Sequence, residues 1–329
     1  MKIRKEYFIL AAIILALSLY LFLRESDRAL YELPKLPAVP QDNISKIEIT
    51  KQDGVITLNR RNDSWNIGPQ EYPADNARVK DMLRIIENLT LTAMVSESKD
   101  YTRYQLDDEH KITVRASIGE KLSRDFDIGK VAPSYRHTFV KLKENELVYH
   151  ARQNFRHTFD VNVDDIRDKQ VLAFDKTEIQ EIRLLKNGRS LLCARSTTSV
   201  NADKETVAKT RPSQGQMLIW ESAEGQRCDE KKLNRLLDTL SNLRCERYID
   251  NKKKEDLTDP IYSIELKGTQ EYKLSIFAKA EGDAKSYPAT SSENKYPFLL
   301  PEEKVQSIMK AHEEMLEETE KKDKQGRKS

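Results

Sequence analysis

The same order of sequence features occurs twice in this chain, and this repetition restricts its possible folds more than any other property. The alternating segment ISKIEI, beginning at Ile44, is matched by IQEIRL at Ile179, 135 residues later. Alternation with a period of two predicts a β-strand with one buried face. A second strand in each half is predicted to end on tryptophan, Trp65 and Trp220. We therefore expect two similar units.

A helix is predicted after each tryptophan. Asp75 and Asp229 are suited to cap the helix N-terminus, and the apolar residues that follow are spaced for one helical face. The apolar residues are Val79, Met82, Leu83, Ile86 and Leu89 in the first half, and Leu233, Leu236, Leu237, Leu240 and Leu243 in the second. Caps and faces match at an offset of 154 residues. A chance likeness between two generic α+β patterns is the alternative, and the six matching positions favour a true repeat over it.

The offset grows from 135 to 154 because of a polar segment at 196–216, which we interpret as a flexible insertion in the second unit. Strands resume after each helix. We pair the first-half residues with their second-half partners as follows: Ile112 and Val114 with Ile264 and Leu266, Phe126 and Ile128 with Leu274 and Ile276, and 147–149 with 298–300.

The predicted fold class is α+β, with an N-terminal transmembrane helix and two tandem units. Each unit is a mostly antiparallel sheet with covering helices. The first unit spans 44–175 and the second 176–318. A last helix from Pro301 has one apolar face, and a charged disordered tail follows at 319–329. The apolar face consists of Val305, Ile308, Met309, His312 and Leu316.

The N-terminal segment 7–23, YFILAAIILALSLYLFL, carries no charge. A helix of this length covers about 26 Å, the short end of what spans a bilayer core. Basic residues precede it, which predicts a cytoplasmic stub at 1–6 and a remainder on the outer face of a cytoplasmic membrane. Segment 24–43 contains prolines and is predicted to be a tether. A cleaved signal peptide and a buried soluble helix are the alternatives, but no small-residue cleavage site follows the apolar run.

The charge balance and the cysteine spacing of the chain bear on which classes of function it can have. The chain has 56 Lys plus Arg against 54 Asp plus Glu, a balance that gives no support for nucleic-acid binding. Its three cysteines are Cys193, Cys228 and Cys245, and their spacing fits no zinc pattern. A disulfide is open to them in an oxidising compartment, but we interpret them as incidental small apolar residues.

No catalytic motif is found. The sequence lacks a nucleophile elbow, a phosphate loop, a dinucleotide fingerprint and a zinc-protease helix. We therefore predict no enzyme activity and no catalytic, cofactor-binding or metal-binding residue. The tetrapeptide Arg-His-Thr-Phe occurs twice and places His137 and His157 in the same context, which we interpret as coincidence. The acidic groups at 107–109 and 164–165 are interpreted as turn and cap residues.

Four segments carry a resemblance to a known family. They are Pro73-Ala74-Asp75, Tyr104-Gln105-Leu106-Asp107, the predicted turn Asp127-Ile128-Gly129, and the run from Asp165 to Leu172. With the anchor and the paired strands, the chain resembles the bacterial family of domain of unknown function 4340 over about residues 44 to 318, as two tandem copies. The second copy departs from the pattern, with Arg227-Cys228-Asp229 in place of the first segment. The resemblance implies membrane-anchored proteins encoded beside components similar to ABC-type transporters of the gliding-motility class, and it implies no activity.

Two functions follow as expectations. The first is a non-catalytic, membrane-tethered extracytoplasmic scaffold or accessory subunit of an envelope transport system. Its partners would be the cytoplasmic membrane, through 7–23, and integral transporter subunits. The second is a module that binds a small molecule or cell-wall fragment in a cleft between the repeats. The aromatic residues considered for that cleft are Tyr101, Tyr104, Tyr248 and Tyr262. A hydrolase is a third class, for which no residue is a candidate.

Overall fold

The computed structural model describes residues 13–20, 32–186, 188–198, 217–279 and 285–310. The chain divides into two compact units, Met1–Arg167 and Asp168–Ser329. Each unit is built around its own sheet, and the strands of both sheets pair in antiparallel fashion. Residues 13–20 form helix α1.

The first unit contains a sheet of nine strands in the order β4-β3-β2-β1-β6-β7-β8-β9-β5. Its strands are β1 (Lys46–Lys51), β2 (Gly54–Arg61), β3 (Ser64–Ile67), β4 (Tyr72–Pro73), β5 (Leu91–Ser96), β6 (Ile112–Ile118), β7 (Lys121–Val131), β8 (His137–Leu142) and β9 (Val148–Arg152). The helices are α2 (Asn76–Glu87), α3 (Arg156–Phe159) and α4 (Val163–Ile166).

The second unit contains an eight-stranded sheet in the order β13-β12-β11-β16-β17-β18-β19-β15, and β10 pairs with β14 as a separate ribbon. Its strands are β10 (Gln170–Ala173), β11 (Glu181–Lys186), β12 (Arg189–Thr198), β13 (Met217–Ser222), β14 (Asn242–Arg244), β15 (Arg247–Tyr248), β16 (Tyr262–Lys267), β17 (Glu271–Ile276), β18 (Ser286–Ser291) and β19 (Phe298–Pro301). The helices are α5 (Glu230–Leu240) and α6 (302–310).

Eight strands follow the same order in both sheets, since β3-β2-β1-β6-β7-β8-β9-β5 corresponds to β13-β12-β11-β16-β17-β18-β19-β15. The register differs from the predicted pairing. Ile49 lies opposite Val114, and Leu184 lies opposite Ile264. Val114 therefore corresponds to Ile264, whereas the sequence pairing matched Ile112 to it. A shift of two residues keeps the same side chains on the buried face, so periodicity alone could not detect it.

The two predicted helices are confirmed with their caps and with four of the five predicted face positions in each, since Leu89 follows the end of α2 and Leu243 lies in β14. The Asp75 carboxylate accepts from the backbone N–H of Ala77 at 3.0 Å, and that of Asp229 accepts from Lys231 at 2.9 Å. The apolar residues predicted for each helical face are buried. Each fully buried leucine or isoleucine contributes about 1.5–3 kcal/mol relative to an exposed one. Packing of one face therefore fixes each helix on its unit.

The predicted fold class requires correction. The molecule consists mostly of antiparallel sheet with few helices, and α2 with 12 residues and α5 with 11 are the longest helices of the described chain. Strand β18 escaped prediction because it does not alternate cleanly. It contains Pro288, which is buried together with the next residue, Ala289.

The predicted transmembrane helix is part of the same correction. No helix among the described residues is long and apolar enough to cross a membrane. Of the predicted span, α1 covers residues 13–20, while 7–12 and 21–23 lie outside the described residues. The stub at 1–6, most of the insertion at 196–216 and the tail at 319–329 also lie outside them.

Part of the predicted tether is packed rather than free. Val39 is buried in the core of the first unit, with Leu33 and Leu36 against it. The Arg124 guanidinium donates to the Pro37 carbonyl at 2.8 Å. The apolar side chains of 32–43 thus belong to the first unit, although three prolines in 24–43 suggested a linker.

The boundary between the units also differs from the predicted one at 175/176. It falls after Arg167 because the next segment belongs to the second core. Val171 and Leu172 are each 1% exposed in that core, and β10 pairs with β14.

Candidate functional site

A cavity of about 590 Å³ in the first unit lies between the C-terminal end of α2 and the segment that follows β9. Its apolar part is formed by Ile85, Leu89 and Phe155. Its polar lining comprises Asp81, Arg84, Asn88, Thr90, Arg152, Gln153, Asn154, His157 and Thr158.

The backbone determines the shape of this cavity. Helix α2 ends where the Asn88 side-chain amide donates to the Arg84 carbonyl at 2.9 Å. The chain then enters β5, which pairs with β9. The N–H of Arg152 donates to the Thr90 carbonyl at 2.9 Å, which holds the start of the 152–158 segment beside the helix end. The two walls are therefore fixed by secondary structure.

A hairpin tip adjoins the cavity. The N–H of Gln153 donates to the Arg136 carbonyl at 2.9 Å, and His137 lies opposite Arg152 in the sheet. Tyr135 is 78% exposed at this tip, with a φ of 56°. A bulky residue at positive φ is uncommon and costs backbone strain. We refer to the cavity together with the tip 133–136 as the basic groove.

The electrostatics of the basic groove are asymmetric. Asp81 is the one acidic residue among those that line the cavity, and its carboxylate already pairs with Arg84 at 3.1 Å. Arg136 and Arg152 are exposed, and neither makes an ion pair with another described residue. The groove therefore presents unneutralised positive charge beside hydrogen-bonding amide and hydroxyl groups.

The two Arg-His-Thr-Phe sequences do not form one site. His137 stacks on His150 with ring centroids 5.3 Å apart, while His157 lines the groove. Burial lowers the pKa of His150, and the neighbouring His137 lowers it further. The repeated tetrapeptide pointed to His137 and His157, whereas the histidine in contact with His137 is His150, which lies opposite Phe139 across the β8–β9 pairing.

The acidic cluster at 107–109 lies in a turn. Asp107, Glu109 and His110 each offer a ligand atom within 4.8 Å of the others. The His110 Nδ1 and an Asp107 oxygen are hydrogen-bonded at 2.6 Å, and this contact lowers the pKa of Asp107. Lys111 donates to Asp108 and lowers its pKa as well. A general acid at neutral pH needs a raised carboxyl pKa, so these two carboxylates are unsuited to that role.

The second acidic group has a structural place. Asp165 and Asn162 form a capping box at α4, in which the Asp165 carboxylate accepts from the Asn162 N–H at 2.9 Å. Asp164 lies in the first turn of the same helix, where a negative charge is favourable.

The aromatic residues considered for a cleft belong mainly to the cores of their own units. Tyr104 packs on Phe139 with ring centroids 4.9 Å apart, and Tyr248 and Tyr262 are buried in the second core. Tyr101 is partly buried, and its hydroxyl donates to the Glu146 carbonyl at 3.1 Å.

Cys193 and Cys228 form a disulfide, which corrects the interpretation of all three cysteines as incidental; Cys245 is buried and is not part of this bond. The internal repeat contained a signal for this bond. Cys193 lies opposite Ile182 as Leu58 lies opposite Ile47, an offset of 135 residues. The N–H of Cys228 donates to the Trp220 carbonyl as that of Ala74 does to Trp65. The bond thus connects positions that hold a leucine and an alanine in the first unit.

The four segments that carry the family resemblance contact one another in two pairs. The carbonyl of Tyr104 and the side chain of Leu106 approach Gly129 closely, within a bulged part of β7 rather than in the predicted turn. Elsewhere the Asp75 N–H donates to the Ile166 carbonyl at 2.7 Å, and the Arg167 guanidinium lies 3.6 Å from the Tyr72 ring centroid. These segments therefore fix chain crossings in the first unit.

Fold and site together define a protein of two antiparallel β-units with an open, basic groove. The chain belongs to the family described as domain of unknown function (DUF4340), whose match covers residues 65–260, more than half of the chain. This single match runs from the first unit into the second, so the interpretation as two tandem copies of the family stays a prediction. No curated protein and no solved structure matches the chain.

Proposed function

We propose that this protein is a non-catalytic, extracytoplasmic accessory subunit of an envelope transport system. It acts by binding a partner protein at the basic groove. The observation that carries the proposal is the groove itself. Its cavity of about 590 Å³ is lined by amides, hydroxyls and the guanidinium group of Arg152, which makes no ion pair with another described residue, and Arg136 lies at the adjoining tip. Arginine and aromatic residues are enriched among the residues that dominate protein interfaces. Arg136, Arg152 and Tyr135 at this groove are of those types.

The extracytoplasmic location is supported by the disulfide between Cys193 and Cys228. Structural disulfides persist in oxidising compartments and are rare in the cytosol. The family match supports no particular activity, and the transport partner rests on what the resemblance implies.

The proposal is tested by photocrosslinking in cells at native expression. A photoreactive residue at Asn154 lies in the groove, and one at Lys121 lies at the opposite end of β7 as the matched control. We expect integral transporter subunits to be crosslinked from position 154 and not from 121. Recovery of uncrosslinked protein from both positions would count against the proposal, as would equal crosslinking from both.

A further inference from the structure

We propose that the basic groove binds an acidic, extended polypeptide segment of the partner, with Tyr135 as the aromatic anchor. This inference rests on the proposed function and specifies the chemistry of the partner. It is drawn from the charges around the groove, from the exposed tyrosine and from the hydrogen-bonding groups between them.

Charge complementarity selects the occupant. Arg136 and Arg152 are close along the backbone of the hairpin, because Arg152 lies opposite His137 and the N–H of Gln153 donates to the Arg136 carbonyl, and both side chains are exposed. The one acidic lining residue, Asp81, pairs with Arg84. Carboxylates of a partner would therefore meet two guanidinium groups without displacing an existing ion pair. Guanidinium groups bind carboxylates through paired hydrogen bonds.

The hydrogen-bonding groups favour a polypeptide over a compact anion. Asn88, Gln153 and Asn154 present amide side chains along the cavity, with Thr90 and Thr158 nearby. Amides can donate to and accept from a peptide backbone at the same time. A volume of about 590 Å³ accommodates several side chains.

Tyr135 supplies the apolar contact. It is held outward at the tip of the β7–β8 hairpin, where its N–H donates to the Ala132 carbonyl at 2.8 Å. Strain of this kind persists where the surrounding structure imposes it, and it is often found at ligand-binding positions. A tyrosine loses little side-chain entropy on binding, which suits it to an anchor.

The test uses the full chain and a fluorescein-labelled, glutamate-rich peptide, with a lysine-rich peptide of equal length as the probe control. We expect the glutamate-rich peptide to bind and the lysine-rich peptide not to bind. The double variant Arg136→Glu with Arg152→Glu should weaken binding at least about tenfold, because both contacts become repulsive. Tyr135→Ala should weaken it by about threefold to tenfold through lost apolar contact.

A matched variant controls for net charge. Lys121→Glu with Lys143→Glu reverses two exposed charges at the far ends of β7 and β8. Its affinity should stay within about twofold of the unchanged chain, since charges beyond about a Debye length are largely screened. Thermal unfolding of every variant is measured first, and a groove variant that unfolds early is replaced by Arg136→Gln with Arg152→Gln.

Three outcomes would overturn the inference. One is equal affinity of the two double variants for the glutamate-rich peptide, and another is no binding by the unchanged chain. The third is arginine-dependent binding of anionic phospholipid vesicles with no binding of the peptide, which would assign the groove to a lipid surface. Failure here with crosslinking retained at position 154 would leave the proposed function intact. Peptide binding without crosslinked transporter subunits would support the acidic-peptide site but contradict the proposed role in transport.

Discussion

Gly129 shows how one residue determines a chain crossing. A Cβ atom at this position would lie 2.3 Å from the Tyr104 carbonyl oxygen and 2.9 Å from a Leu106 side-chain carbon. The nearer of these is a backbone atom, which cannot move aside as a flexible side chain can. The β7 strand is bulged at this point, between Ile128 and Val131. Glycine in a strand often marks such a bulge or a close backbone approach.

We therefore expect Gly129→Ala to reduce the free energy of unfolding by about 1–3 kcal/mol through overpacking. Urea unfolding followed by circular dichroism measures this change. Ser123→Ala, in the same strand, serves as the control and should shift the midpoint much less. A Gly129→Ala protein as stable as the Ser123→Ala protein would contradict the close packing of the 104–106 segment on β7.

His150 couples stability to pH. Its pKa is lowered by burial and by His137, whose ring stacks on it; the Phe139 ring also lies against it, with centroids 4.8 Å apart. In the unfolded chain a histidine titrates near pH 6.5. As the pH falls below about 6.5, the unfolded state therefore binds more protons at His150 than the folded state does. The contribution of His150 is present above about pH 6.5 and is lost as the pH falls through its lower folded pKa.

His150→Gln should accordingly reduce the drop in Tm between about pH 7.5 and about pH 5. His157→Gln, which changes an exposed histidine of the groove, is the matched control and should leave the pH dependence close to that of the unchanged chain. Calorimetry at a series of pH values makes the comparison. If the Tm of His150→Gln falls on acidification by as much as that of the unchanged protein, His150 does not cause the pH dependence.

At the scale of elements, the disulfide distinguishes two otherwise similar strand–helix connections. In the second unit it joins β12 to the residue before the Asp229 cap of α5. In the first unit the corresponding residues are Leu58, which is fully buried, and Ala74. Closing a loop of this size in the unfolded chain contributes about 2–4 kcal/mol in the chain-entropy account.

Cys193→Ala with Cys228→Ala is expected to lower stability by about 2–4 kcal/mol. Adding a reductant should lower the stability of the unchanged chain but not that of this double variant. Cys245→Ala is the control, since it removes a buried thiol outside the disulfide and should leave the effect of the reductant in place. An unchanged chain whose unfolding is indifferent to reductant would mean that the bond does not form in solution.

Among these elements, the helices could be predicted from the sequence, but the strand register and the groove could not. Helices α2 and α5 were predictable because the cap and five apolar positions agree in both halves, and caps and periodicity are local signals. Strand register was not predictable, because matching Ile112 instead of Val114 to Ile264 shifts the pairing by two residues and leaves the same side chains on the buried face. The groove was also beyond reach. It depends on β5 pairing with β9 across a separation of about 60 residues, and on the hairpin tip that places Arg136 beside Gln153.

At the scale of the whole molecule, each unit has a hydrophobic core of its own. The first core includes residues from 39 to 166, and the second includes residues from 171 to 308. A domain with its own core can in principle fold alone. The sequence placed the division at 175/176, whereas packing places it after Arg167. The difference is the segment that contains β10.

Fragments that begin on either side of β10 test this division. A second-unit fragment starting at Asp168 keeps Val171 and Leu172, each 1% exposed, and the pairing of β10 with β14. A fragment starting at Lys176 loses both side chains. Because each fully buried apolar side chain contributes about 1.5–3 kcal/mol, the loss of both removes about 3–6 kcal/mol, a large part of the roughly 5–15 kcal/mol that stabilises a typical domain. We expect the fragment from Asp168 to unfold cooperatively and the fragment from Lys176 to be largely unfolded, as measured by urea denaturation and amide hydrogen exchange.

Equal stability of the two fragments would show that β10 is dispensable to the second core. Loss of cooperative unfolding in both would show that this unit depends on the rest of the chain.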